Sequence, residues 1–128
     1  MKTQKRQTGD IGERAAAKYL RKNKYKILAT NAFFGKKEVD IIAENREYIV
    51  FAEVKTRTLS LDGTLPYGRP ASAVDHDKQS NLIAAARMYL ATHPLKKRLR
   101  FDVLEVYLPM NDPHAPPTVI HMPDAFRA

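Results

Sequence analysis

The segment Tyr48-Ile49-Val50-Phe51-Ala52 is apolar at every position and runs directly into Glu53-Val54-Lys55. A strand presents successive side chains to opposite sides, so a run that is apolar at both parities must be covered above and below. That implies a sheet held between two layers, with a central strand that ends in charge, and the expected fold is α/β, a central mixed sheet flanked by helices. With 128 residues the chain has room for one core, so residues 1–128 are read as one domain.

The covering layers are legible on either side. A helix is expected from about Asp10, as its cap, to Asn23; Ile11, Ala15, Ala16, Tyr19 and Leu20 fall on one arc, and Arg14, Lys18, Arg21 and Lys22 on the other. Glu13 falls beside Leu20 and turns inward. Strands are expected over Tyr25–Phe34, Glu38–Ala43 and Tyr48–Lys55. Asn45-Arg46 is a plausible two-residue turn, because Asn tolerates the positive φ such a hairpin requires. Residues 56–74 carry Gly and Pro punctuation without periodicity and read as a long loop. A second helix runs from Asp75 or Asp77 to Thr92, with Gln79 on the arc of Leu82, Ile83, Ala86 and Leu90. A strand over Arg100–Leu108, a proline-rich turn and a short strand over Thr118–His121 complete the order αβββαββ.

Net charge is +8, and its placement is uneven: residues 1–26 hold nine Lys and Arg against Asp10 and Glu13. Lys96, Lys97, Arg98 and Arg100 form a second cluster. Such concentration suits a polyanion, nucleic acid first and an anionic membrane surface second, or else a solvated surface. With no cysteine, thiolate metal sites and cysteine nucleophiles are excluded, so any metal is held by carboxylates or histidines. His76, His93, His114 and His121 lack ligand spacing and suit surface or core roles. No apolar run reaches the roughly 20 residues of a membrane helix, and the N-terminal basic stretch lacks an apolar region behind it. A cytoplasmic protein without a membrane partner is expected.

Alternation puts Ile49, Phe51, Glu53 and Lys55 on one face. The expected turn sets Asp40 opposite Phe51 and diagonal to Glu53, a separation of about 7–8 Å that lets both carboxylates reach one ion. Two such acids in a half-buried place repel unless a cation joins them, and Mg²⁺ (or Mn²⁺) suits oxygen ligands. Lys55, one pleat on, is placed to act on water or phosphate.

Asp40, twelve intervening residues and Glu53-Val54-Lys55, in this element order, resemble the PD-(D/E)XK nuclease superfamily. More narrowly, GERAAAKYL, KEVDIIA, VFAEVKTR and YGRPASAV before Lys78-Gln79 resemble the YraN-like family of bacterial proteins within it, with Val39 where the superfamily's name has proline and Lys37 where the narrower family has glycine. The resemblance implies a restriction-endonuclease-like αβββαβ core. It implies Asp40 and Glu53 as metal ligands, Lys55 as catalytic lysine, and Glu13 as the helix-borne acid of archaeal Holliday junction resolvases, which share this fold. Gln79 matches a helix glutamine near related sites.

The expected function is a Mg²⁺-dependent endonuclease acting on DNA, with branched or junction DNA as the narrower substrate. Asp40, Glu53 and the Val54 carbonyl hold the ion. Arg14, Lys18, Arg21, Lys22, Arg57, Tyr67 and Arg69 are the candidate nucleic-acid contacts, and a homodimer is left open. The alternative is a non-catalytic nucleic-acid-binding or scaffolding module. Glu53 and Lys55 also suit a strand-end ion pair, Gln79 a core amide, and Glu13 an acid in a helix's first turn.

Overall fold

A computed structural model describes residues 4–59, 75–94, 96–109, 112 and 114–128. Its elements are α1 (Gln4–Lys22), β1 (Lys26–Phe34), β2 (Lys37–Glu44), β3 (Tyr48–Thr58), α2 (His76–Thr92), β4 (Arg98–Leu108) and β5 (Thr118–Phe126). The strands form one sheet in the order β1-β2-β3-β4-β5, antiparallel except for the parallel pair β3 and β4. The expected α/β architecture is present, with the doubly apolar strand at its centre.

Strand β3 divides its side chains between two cores. Val50 and Ala52 pack with Ala16, Ala17 and Leu20 of α1, and with Ile41, Ala43, Leu104 and Val106. Ile49 and Phe51 pack on the other face with Leu82, Ala85 and Ala86 of α2, and with Ile42 and Phe101. Burial of these side chains, at about 1.5–3 kcal/mol for each large one, fixes a helix on either side.

Local chemistry explains four departures from the expected boundaries. Helix α1 begins at Gln4, so Asp10 lies within it and does not cap it, and Glu13 is beyond the first turn. The buried stripe is Ala16, Ala17 and Leu20, while Ile11 is 42% exposed. The β2–β3 turn slips by one residue: Asn45 Oδ1 accepts from the N–H groups of Glu47 and Tyr48, and the Asn45 N–H donates to the Tyr48 carbonyl. This side-chain turn needs no positive φ at Asn45. Arg46-Glu47 therefore occupies the tip, and Phe51 pairs with Ile42 instead of Asp40. Finally, β5 continues past His121 through Pro123, because an edge strand tolerates a residue without an N–H.

Asp75 does cap α2, its Oδ1 accepting from the Lys78 N–H at 2.9 Å. On the α1 side a polar cluster is built into the sheet. Fully buried Asp102 takes both prongs of Arg100 (2.8 and 2.7 Å), the Asp124 N–H (3.0 Å) and His121 Nε2 (2.6 Å).

Candidate functional site

Strands β2 and β3 part at the carboxylates. Their last pair is Ile41 with Ala52, and the next residue, Asp40, spends its Oδ2 on the Val54 N–H at 2.8 Å, replacing a ladder bond with a side-chain bond. Strand β1 is irregular at the same level. Asn31, at φ +50°, sits between the pairs Thr30–Ile41 and Ala32–Val39, across from Asp40. Left-handed backbone is a conformation Asn adopts more readily than most residues. Alternation is interrupted here: Ile41 joins the α1-side core and Val39 the α2-side core. The acids thus meet where the sheet opens rather than by simple strand parity.

Helix α1 closes the opening from one side. A Cβ on Gly12 would lie 1.8 Å from Thr56 Oγ1, so the bare glycine lets α1 press against β3. Glu13, the next residue, is delivered to the gap. The resulting cleft is lined by Thr8, Gly9 and Glu13 of α1 and by Asp40, Glu53, Val54 and Thr56 of the strands.

Four acids approach one another there. Glu13, Glu38 and Asp40 each offer a carboxylate oxygen, all within 4.8 Å of one another. Burial, and then the charge of Glu53, push Asp40 up to about 7 despite the Val54 N–H bond that favours its ionised form. Burial also raises Glu13, with Glu38 and Asp10 adding to the rise and a hydrogen bond from Asn31 opposing it. Glu53 is met from the far helix by Lys78 Nζ at 3.2 Å. The cluster holds hard oxygen donors in a place that penalises their charge, the chemistry of a site for a small divalent cation.

Of the expected site residues, Glu13, Asp40, Glu53 and Val54 line one cleft, and Val54 also uses its N–H to hold Asp40. Lys55 and Gln79 are half-buried and lie outside that lining. Lys55 is in register with Glu105 of β4, whose side chain is fully buried. Arg14, Lys18, Arg21 and Lys22 are all exposed on α1, and Arg57 is exposed with its Nη1 donating to the Thr56 carbonyl. Tyr67 and Arg69 lie outside the described residues.

Glu38, Asn31, Lys78 and Glu105 join the site or its surroundings without having been singled out. Glu38 alone had a sequence signal, its period-two spacing from Asp40.

The chain matches the model of "Uncharacterised protein family UPF0102" over residues 12–106. A UPF0102 protein of Caldanaerobacter subterraneus subsp. tengcongensis is 43% identical over 108 residues, covering 84% of both chains. One from Acetivibrio thermocellus is 42% identical over 109 residues, covering 84% of this chain and 80% of the relative. One from Trichlorobacter lovleyi is 40% identical over 120 residues, covering 92% and 88%. The matched span contains α1 from Gly12 onward, both helix-borne and strand-borne acids, and most of β4.

Proposed function

The chain belongs to the UPF0102 family, and from the chemistry of its cleft we propose that it is a divalent-metal-dependent nuclease that hydrolyses DNA phosphodiester bonds, branched or junction DNA being the narrower expectation. The observation that carries this reading is the gathering of Glu13, Glu38, Asp40 and Glu53 at the point where β2 and β3 part, with Asp40 driven up to about 7. Acids held close at such a cost are characteristic of functional sites.

Glu13, Glu38 and Asp40 would hold Mg²⁺ or Mn²⁺, with Glu53 and Val54 at the wall of the same cleft. The bound ion would supply Lewis acidity toward a phosphate oxygen and lower the pKa of its water. The protein's own part begins with the Val54 N–H, which fixes the Asp40 carboxylate. Asn31 orients Glu13. Lys55 stands beyond Glu53 on β3 and is kept beside a buried carboxylate by its register with Glu105, which suits an ammonium acting on phosphate charge. Gln79 sits one helical turn before Leu82, next to Lys78, and fits a role in positioning α2 over the site.

The ion pair of Glu53 with Lys78 favours a second reading, a nucleic-acid-binding module in which a lysine permanently compensates the acid. Purified protein incubated with duplex, single-stranded, flap and four-way-junction substrates, with and without Mg²⁺ or Mn²⁺, separates the two. Metal-dependent cleavage lost in both Asp40→Asn and Glu53→Gln, with DNA binding kept or tightened, is the expected result. Wild-type binding without cleavage of any substrate favours the module, and cleavage surviving in Glu53→Gln removes this cleft from the reaction.

A further inference from the structure

A second depression runs away from the cleft along α1. It is walled by Asp10, Glu13, Arg14, Ala17 and Arg21 on the helix and by Thr30 and Asn31 on β1. Glu13 belongs to both depressions, so the groove opens into the acidic cleft. Its helix wall is a stripe at i, i+4, i+7 and i+11, which is one side of α1. The four basic residues of this helix from Arg14 onward are thereby sorted. Arg14 and Arg21 line the groove, whereas Lys18 and Lys22 are exposed outside its lining.

Charge changes along the groove in a useful order, acidic at the cleft end with Asp10 and Glu13 and basic beyond. Between the two arginines the helix side narrows to Ala17, and the strand side offers only the short polar Thr30 and Asn31, leaving space between two guanidinium groups. Arg14 and Arg21 are seven residues apart, about 10 Å at 1.5 Å per residue, far enough to hold two different phosphates of one strand. Both groove residues are arginines, whose planar fork binds a phosphate through two hydrogen bonds, and the two other basic residues from Arg14 to the end of α1 are lysines. Strand β1 is the edge of the sheet, but its left-handed Asn31 and the register shift between Ile27 and Ala29 leave it poorly suited to pair with an extended peptide.

We propose that the groove between α1 and β1 seats the nucleic-acid strand flanking the bond at the cleft, with Arg14 on a phosphate beside the reacting one and Arg21 on a further phosphate of the same strand. The proposal rests on the nuclease reading for its starting point at the cleft, and its test is independent of cleavage. Fluorescein-labelled oligonucleotides are titrated by anisotropy in EDTA over a range of salt, with wild type, Arg14→Gln, Arg21→Gln, Lys18→Gln and Lys22→Gln; circular dichroism checks that each exposed substitution leaves the fold intact. Each arginine variant is expected to weaken binding at least fivefold and to reduce the slope of log affinity against log salt by about 0.7 to 0.9, one phosphate contact. Each lysine variant should change affinity less than about twofold.

Equal losses at all four positions, losses confined to Lys18 and Lys22, or no binding by wild type would overturn the groove. Binding through Arg14 and Arg21 by a protein that never cleaves keeps the groove and discards the nuclease. Cleavage by wild type, with Arg14→Gln and Arg21→Gln binding normally, does the reverse.

Discussion

Lys78 is the residue at which the site departs furthest from its sequence motif. The Glu53-Val54-Lys55 pattern supplies its own lysine, yet the ammonium found 3.2 Å from Glu53 comes from α2, 25 positions along the chain. Lys78 is half-exposed, so the pair is worth little, about 1 kcal/mol or less. A divalent ion drawing on Glu53 has to displace it. Lys78→Gln is therefore expected to tighten Mn²⁺ binding to the nucleic-acid-free protein by up to about fivefold in calorimetric titration, and Lys55→Ala to leave that affinity unchanged; weaker Mn²⁺ binding in Lys78→Gln would assign the lysine to building the site. Glu13 was legible from a helical wheel, and Asp40 with Glu53 from their spacing ahead of Val54-Lys55, although the strand parity that joined those two acids does not hold at Asp40. Lys78, Asn31 and Glu105 were not, since their places depend on where two strands part and which strand lies parallel to β3, and neither is written locally.

At the scale of elements, the site depends on how closely α1 approaches β3, and Gly12 sets that distance. Glycine inside a helix usually costs about 1 kcal/mol relative to alanine, so Gly12→Ala would ordinarily stabilise the protein. Here the new methyl meets Thr56 Oγ1 at 1.8 Å and its Cβ and Cγ2 at 2.8 Å. The expected result is destabilisation of about 1–3 kcal/mol in urea unfolding, with metal affinity reduced because Glu13 moves out with the helix. Adding Thr56→Ala removes the two branching atoms and should recover part of both losses. A Gly12→Ala protein as stable as wild type would show that α1 is free to shift. Sequence pattern found this helix and its outward basic arc but began it at Asp10, because a capping residue was taken as a start where the backbone was already helical. The hairpin slipped by one residue for a related reason: the Asn45 side chain closes the turn ahead of itself, and a rule based on positive φ does not see that bond. Asp40, expected opposite Phe51, instead lies at the open end of the ladder, next after the Ile41–Ala52 pair.

Over the whole molecule, two buried acids, Asp102 and Asp40, respond to pH in opposite senses. Burial opposes the charge of Asp102, but His121, Arg100 and the Asp124 N–H outweigh it and hold its carboxyl below the ordinary range. A depressed acid stabilises the fold above its unfolded value, near 3.9, and that stability is lost as pH falls through the folded value. Asp40 is raised, so its contribution is fully present below about 4 and is lost as pH rises through about 7, because the folded state keeps a proton the unfolded chain has released. The loss is at most about 4 kcal/mol and is reduced by water at the open cleft. Metal-free protein should therefore be most stable near pH 4–5, decline toward pH 7 and level off above it, as followed by thermal melts. Asp40→Asn, which keeps an oxygen for the Val54 N–H, should shrink the decline to the part that raised Glu13 contributes and melt higher than wild type at pH 8. Saturating Mg²⁺ should raise the wild-type melt at pH 8 by more than that of Asp40→Asn, since a ligand bound only by the folded state adds about 2.7 kcal/mol at a hundredfold excess over its Kd. A wild-type curve flat from pH 4 to 8 would show that the fold does not hold Asp40 protonated, and an Asp40→Asn protein that gains as much from Mg²⁺ as wild type would remove Asp40 from the metal site.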